Sequence, residues 1–349
     1  MQSLLVFLLL PLVRTSANDK YEPCPPLPPV ASSAAIAADP QVVAAVGAVK
    51  ALLAEKAAQL PSGMVASVVY DQQTLWSGGF GKRNKFDPAS ATPAATDLVR
   101  IASITKVFTD VLLWKLRDLG TVGLDDKLEK YLPAHFGKVG STRGDITLRN
   151  LAAHLSGLPR EVPFPCSFDG RACSEEEVLQ VLNGTLPVLP PNRRFHYSNL
   201  GIALLGRALG HAAGEAEYEQ LIAEHITTPL GMANATFDTA QALSRDLVAT
   251  GVAKDGSRLN FSATCVPAPG AIGSWMAPCG CLWASADDLA ALLKLFLRTD
   301  VGAGATPDQI LDGDSLAEML APSVLLGDGS SAVGSPWEMK CVPPTPISE

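Results

Sequence analysis

Apolar positions along the chain fall into runs with two different periods. From Gln41 to Leu60 they recur at helical spacing (Val42, Val43, Val46, Val49, Leu52, Leu53), and Pro61-Ser62-Gly63 closes the run. Two strand-like runs follow, Met64–Tyr70 and Thr74–Phe80, with Asp71-Gln72-Gln73 between them, which predicts a β-hairpin. From Ser103 to Leu119 the residues Val107, Phe108, Val111, Leu112, Leu116 and Leu119 cover more than one helical face. That helix should be buried on most sides and end at Gly120. From about Leu124 to Met232 the pattern is helical, broken by loops at Pro159–Arg171 and Pro187–Asn192, with Thr147 the expected N-cap of Leu148–Ala153. Further helices are predicted over Asp287–Leu297 and Ser315–Leu320, and no internal repeat is visible. A hairpin, a long helical insertion and then more strands describe one mixed α/β (α+β) domain over 41–349. Its helical subdomain spans about 120–265.

The first apolar segment, Leu4–Val13, has a different meaning. A membrane-spanning helix needs roughly twenty apolar residues, about twice this length. The segment fits the apolar core of a signal peptide covering 1–17, with Thr15-Ser16-Ala17 as the cleavage site before Asn18. No Lys or Arg precedes the apolar run, a departure from the usual signal pattern, and an uncleaved membrane anchor is the alternative. A Pro- and Ala-rich stretch over 18–40 then reads as a linker.

Export changes how the rest is read. Asn183-Gly-Thr185, Asn234-Ala-Thr236 and Asn260-Phe-Ser262 become N-glycosylation sites, and the expected location is extracellular. Seven cysteines permit disulfides there, with Cys166 and Cys173, close together in a Pro-rich loop, the expected pair. The odd count leaves one thiol over. Cys279-Gly-Cys281 has the wrong spacing for zinc, and no metal or cofactor motif occurs: no His-Glu-x-x-His, no P-loop, no dinucleotide fingerprint. The formal net charge of −8 argues against nucleic acid or an anionic membrane as the main partner.

Two short motifs carry chemistry. In Ser103-Ile-Thr-Lys106 the hydroxyl and the amine lie three residues apart, so on a helix they share a face. Ser103 in the first turn would feel the positive end of the helix dipole, and a desolvated Lys can accept the serine proton. A lone match of this kind also arises by chance. Tyr197-Ser-Asn199 is rarer in a chain with five tyrosines. Its phenol can relay a proton and its amide can hold a substrate carbonyl, whereas the plainer reading makes Asn199 the cap of a helix starting at Leu200. His154 reads as a structural, hydrogen-bonded histidine, and Asp125-Asp126 as a turn. No Gly-x-Ser-x-Gly elbow supports an α/β-hydrolase.

Taken together, these residues resemble the family of class C β-lactamases, D-alanyl-D-alanine carboxypeptidases and serine esterases. Arg100-Ile-Ala-Ser-Ile-Thr-Lys-Val-Phe-Thr109 is similar to that family's nucleophile segment almost residue for residue. Gly123-Leu-Asp-Asp126 through Tyr131-Leu-Pro133, and Ile146 to Pro159 with its His154-Leu-Ser-Gly-Leu-Pro159, resemble the segments that follow. Pro229-Leu-Gly-Met232 and Gly280-Cys-Leu-Trp-Ala-Ser285 with Asp288-Leu289 complete a collinear likeness from about Gly63 onward. With export, cysteines and sequons, the likeness is greatest to animal β-lactamase-like proteins, relatives of a mitochondrial filament-forming member, so self-assembly stays open. The resemblance implies a β-lactamase/transpeptidase-like fold, an antiparallel sheet flanked by helices. It implies an acyl-enzyme on Ser103 with an amide or ester substrate, protons managed by Lys106 and Tyr197, and Lys and substrate oriented by Asn199.

One part of the family pattern is absent. Its third motif, Lys-[Ser/Thr]-Gly or His-x-Gly, lies on a strand that also supplies an oxyanion-hole N–H. Nothing of that form follows Tyr197. Ser335-Pro-Trp-Glu-Met-Lys340 resembles the strand just before it. The expectation is therefore a chain lacking the last strands of the sheet, with the N-terminal hairpin left at an open edge. It would be either a shortened form or a member without the catalytic strand. A non-catalytic protein that binds or assembles through the same fold is the alternative function.

Overall fold

The computed structural model describes residues 33–60, 62–132, 145–161, 175–183, 187–244, 251–252, 255–258, 265, 274–298, 310–327 and 330–340. Two helices come first, α1 (Ser33–Ala38) and α2 (Pro40–Gln59). The stretch read as a linker thus ends in a short helix: the run Ser-Ala-Ala-Ile-Ala-Ala has strong helix propensity despite its Pro-rich flank. Asp39 caps α2 by accepting from the Gln41 and Val42 amides. The hairpin follows as predicted, β1 (Met64–Tyr70) against β2 (Gln73–Phe80), with a register shift at Val68/Val69. Among the described residues it stays two-stranded.

A two-residue strand β3 (Val99–Arg100) leads into a 3-10 turn over Ala102–Ile104 and then α3 (Thr105–Asp118). Next come α4 (Leu148–Ala152), capped by Thr147 in a capping box with Asn150, and α5 (Glu175–Asn183). Helices α6 (Asn199–Ala212), α7 (Tyr218–Ile222), α8 (Thr239–Ser244) and α9 (Ala277–Gly280) follow. Strand β4 (Trp283–Ala284) pairs antiparallel with β3. Helix α10 (Ala286–Leu297) starts at a second capping box, Ser285 with Asp288, and α11 (Gly313–Leu320) precedes a small sheet. That sheet is antiparallel β5 (Val324–Leu325), β6 (Ser331–Val333) and β7 (Glu338–Lys340).

The core is built around α3. Phe108, Val111, Leu112 and Leu113 are fully buried there, packed with Leu148 and Leu151 of α4 and with Ile202, Leu204 and Leu205 of α6. Burial on most sides is what the unbroken apolar pattern of this helix required. Helix α6 comes very close to α9: a Cβ on Gly206 would sit 2.2 Å from Pro278 Cγ, so only glycine allows that approach. The hairpin docks on α10 through polar contacts, Ser77 Oγ to Asp287 Oδ1 (2.6 Å) and Gln72 Nε2 to the Lys294 carbonyl (2.9 Å). The last sheet is tied to α3 by Ser335, whose hydroxyl donates to Asp110 Oδ2 at 2.7 Å. Asp110 is fully buried and its Oδ1 has no hydrogen-bond partner; burial raises its pKa well above the carboxylate range, so its carboxyl stays protonated into higher pH.

Candidate active site

Ser103 lies in the 3-10 turn ahead of α3, two residues before that helix begins, whereas the sequence pattern places it inside the helix. The residue before it explains why. Ala102 has φ 47°, a left-handed conformation that costs a non-glycine residue about 1 kcal/mol. This bend turns the chain out of β3 and leaves Ser103 exposed at the front of α3, with Ile104 46% exposed beside it. Thr105 Oγ1 ties the turn by donating to the Ala102 carbonyl at 2.6 Å.

One turn on, Lys106 is only 3% exposed. Its Nζ donates to Ser103 Oγ at 3.2 Å and to the Cys279 carbonyl at 2.6 Å. A second group meets the same oxygen: Tyr197 OH lies 2.7 Å from Ser103 Oγ. Three of the four residues singled out in the sequence therefore converge on one oxygen atom, from segments 94 residues apart. Both partners of Ser103 Oγ are groups able to take or relay its proton.

Tyr197 is held on several sides. His154 stacks on its ring (centroids 4.5 Å apart), and Lys106 Nζ and the Arg160 guanidinium lie 4.8 Å and 4.7 Å from the ring centroid. Asn199, the fourth residue, is placed differently. The helix is capped by Ser198, whose Oγ accepts from the Gly201 amide at 2.8 Å, so Asn199 is the first helical residue and not the cap. Its side-chain amide donates to Glu161 Oε1. Glu161 and its neighbour Arg160, exposed and 3.6 Å apart, were not singled out in the sequence; only their position after Leu158-Pro159 hinted at them.

The family model for β-lactamase matches residues 49–341. This chain belongs to the β-lactamase family. It is 39% identical to "Beta-lactamase-like protein 2" of Dictyostelium discoideum over 79% of this chain and 48% of that protein. It is 36% identical to the D-alanyl-D-alanine-carboxypeptidase/endopeptidase AmpH of Escherichia coli K12, over 60% of this chain and 51% of that one. Among solved structures, the octameric penicillin-binding protein homologue of Pyrococcus abyssi superposes with a TM-score of 0.66 at 26% identity, over 83% of this chain and 64% of that one. The chain thus spans about half the length of the first two relatives. Serine-hydrolase chemistry belongs to the family, and the α/β fold with small antiparallel sheets is the family's fold.

Sulfur chemistry and glycosylation fall out less evenly. Cys265 and Cys281 are disulfide-bonded, a pair that sequence proximity did not suggest. Cys166 and Cys173 lie outside the described residues, as do residues 1–17 and Asn260. Asn183 is the last residue of α5, and Asn234 is partly buried in a turn before the Thr236–Trp283 bridge. Cys279 is a buried free thiol, pushed up by burial to about 11, which makes it a poor competitor for an electrophile aimed at Ser103. Among the described residues no cluster of three potential metal ligands occurs, and no helix is long and apolar enough to cross a membrane.

His154 is structural in the way the sequence suggested, and its environment sets a pH limit. It is buried, its Nδ1 accepts from the Ser198 amide at 3.1 Å, and its own carbonyl accepts from the His196 amide. Burial first, then the charges of Lys106 and Arg160, lower its pKa to about 3. The unfolded chain therefore takes up this proton near pH 6.5 while the folded chain refuses it. Stability from this residue is complete above pH 6.5 and is lost as pH falls toward 3, by about 2 kcal/mol at pH 5. Asp110 works in the opposite sense, so the residue's own share is read as wild type minus His154→Gln. The expected result is a melting temperature that falls more steeply between pH 7 and 5 in wild type than in the variant. Parallel curves would remove the assignment.

Proposed function

We propose that this chain is a serine hydrolase that forms an acyl-enzyme on Ser103 with a small amide or ester substrate. One observation carries the reading: Ser103 Oγ sits within hydrogen-bond reach of both Lys106 Nζ (3.2 Å) and Tyr197 OH (2.7 Å). Oγ attacks the substrate carbonyl carbon while its proton passes to the Lys106–Tyr197 pair. The same pair returns a proton to the departing amine or alcohol as the C–N or C–O bond breaks. Water then attacks the carbonyl carbon of the Ser103 ester, giving a proton to the same pair; the C–Oγ bond breaks, the carboxylic acid leaves, and Oγ takes the proton back. His154, stacked on Tyr197, and Arg160 hold the phenol in place for both steps.

Export is part of the same proposal. The apolar start of the chain and the Cys265–Cys281 disulfide both support an oxidising extracellular compartment. Self-assembly is proposed only by likeness to the octameric relative. A second reading, a non-catalytic binding member, is favoured by one contact: Asn199 gives its amide to Glu161, where the family pattern implies it serves Lys106 and substrate.

The deciding measurement is intact-mass analysis of the purified protein after treatment with a serine-reactive fluorophosphonate, with the adduct located by peptide mapping. A single adduct on Ser103 is the expected result. Folded protein that stays unlabelled would hand the site to the binding reading.

A further inference from the structure

The segment from Pro278 to Leu282 is a floor beneath the nucleophile, and five of its backbone polar atoms bond to residues 100–109, the stretch that carries Ser103. The Pro278 carbonyl accepts from Thr109 Oγ1 (2.6 Å), the Cys279 carbonyl from Lys106 Nζ (2.6 Å) and the Gly280 carbonyl from Arg100 Nε (3.1 Å). The Leu282 amide donates to Thr105 Oγ1 (3.3 Å), and its carbonyl accepts from the Ile101 amide (3.0 Å). Where Lys106 Nζ sits thus depends on where this floor sits. The floor is pinned at Cys281 by the bond to Cys265, both cysteines being buried. The Arg100 guanidinium lies against Cys265 Sγ and, at 3.9 Å, Cys281 Sγ while its Nε holds Gly280. Disulfide, Arg100 and carbonyl row form one connected unit between β3 and α9.

We propose that the Cys265–Cys281 disulfide and Arg100 are positioning elements of the serine site: they fix the Cys279 carbonyl, which fixes Lys106 Nζ against Ser103 Oγ. This rests on the serine-hydrolase reading and adds to it residues that touch neither substrate nor Ser103. A disulfide two residues from the carbonyl restricts that atom covalently, whereas hydrogen bonds alone hold a short four-residue helix less firmly. Lys106 follows any shift of that helix, because its other partner is the exposed Ser103.

The test compares the rate of fluorophosphonate labelling, and its pH profile, in wild type, in Cys265→Ala/Cys281→Ala and in Arg100→Lys. The double variant is expected to label at least tenfold more slowly. Its pH profile should change as well, since Lys106 Nζ loses a fixed acceptor. Arg100→Lys keeps the disulfide and loses the Nε bond to Gly280, so it should move rate and profile the same way by a smaller factor. It also supplies the answer if the double variant does not fold. Folded variants that label at the wild-type rate with the wild-type profile overturn the inference, even if they melt earlier. Wild type that does not label at all overturns the serine-hydrolase reading instead.

Discussion

Ser103→Ala is expected to abolish covalent labelling and any hydrolysis, by a factor of 10³ or more, while the protein stays folded. Both halves follow from where the residue sits. Its Oγ is the one atom met by Lys106 Nζ and Tyr197 OH, so its removal leaves the proton-handling groups with no nucleophile to serve. The thiol at Cys279 cannot replace it, being buried and held near pKa 11. Stability should change by no more than about 0.5 kcal/mol, because Ser103 is exposed in a 3-10 turn and not, as a place inside the helix would imply, packed against the core. Lys106 keeps the Cys279 carbonyl, and the hydroxyl of Tyr197, which is half-buried, can meet water instead. The check is a paired experiment, adduct mass and thermal melting on the same preparations. Labelling that persists in Ser103→Ala would move the nucleophile elsewhere. Loss of labelling with a collapsed melting temperature would make the residue structural.

The nucleophile motif was legible in the sequence because its chemistry is local. Three-residue spacing at the head of a helix brings a hydroxyl and an amine together whatever the rest of the chain does. Tyr197 was legible only as half of a second motif. Its meeting with Ser103 depends on α6 packing against α3, which no period in the sequence announces. The misreadings have the same origin. Asn199 looked like a cap because it precedes an apolar run; Ser198, one residue earlier, takes the cap by bonding to Gly201, and Asn199 is freed to reach Glu161.

Cysteine pairing shows the limit most plainly. The bond among the described residues joins Cys265 to Cys281, 16 residues apart, a pair that sequence proximity did not single out, while Cys166 and Cys173 lie outside the described residues. Asp110 was invisible as a special residue, a charged letter in an apolar helix. Its partner Ser335 lies 225 residues away on the segment that docks the last sheet. Periodicity recovers the elements, and short motifs recover chemistry confined to one element. Contacts that couple elements need the packed core first.

Gly157→Ala should be the most damaging single methyl group that can be added around the site. Gly157 has φ +72°, so any side chain there carries the left-handed penalty of about 1 kcal/mol. Space then decides the rest: its Cβ would lie 2.0 Å from the Leu189 carbonyl oxygen and 2.8 Å from the carbon. That carbonyl belongs to backbone held by Gly157 itself, whose oxygen accepts from the Val188 and Leu189 amides, so neither strand of the contact can give without breaking the other. The expected loss is about 3–5 kcal/mol, a fall in melting temperature of roughly 10 °C or more. Gly120→Ala isolates the backbone share, because Gly120 has φ +73° with nothing within 4 Å, and should cost only about 1 kcal/mol. The larger loss reaches the chemistry through two contacts close by. Ser198 Oγ donates to the Pro159 carbonyl and the Asn199 backbone N–H to the Arg160 carbonyl, so a displaced 157–160 segment carries Tyr197, between those anchors and His154, away from Ser103. Labelling of any Gly157→Ala protein that remains folded should therefore fall with its stability. Equal melting temperatures for the two alanine variants would show that the close approach to Leu189 is not enforced in solution.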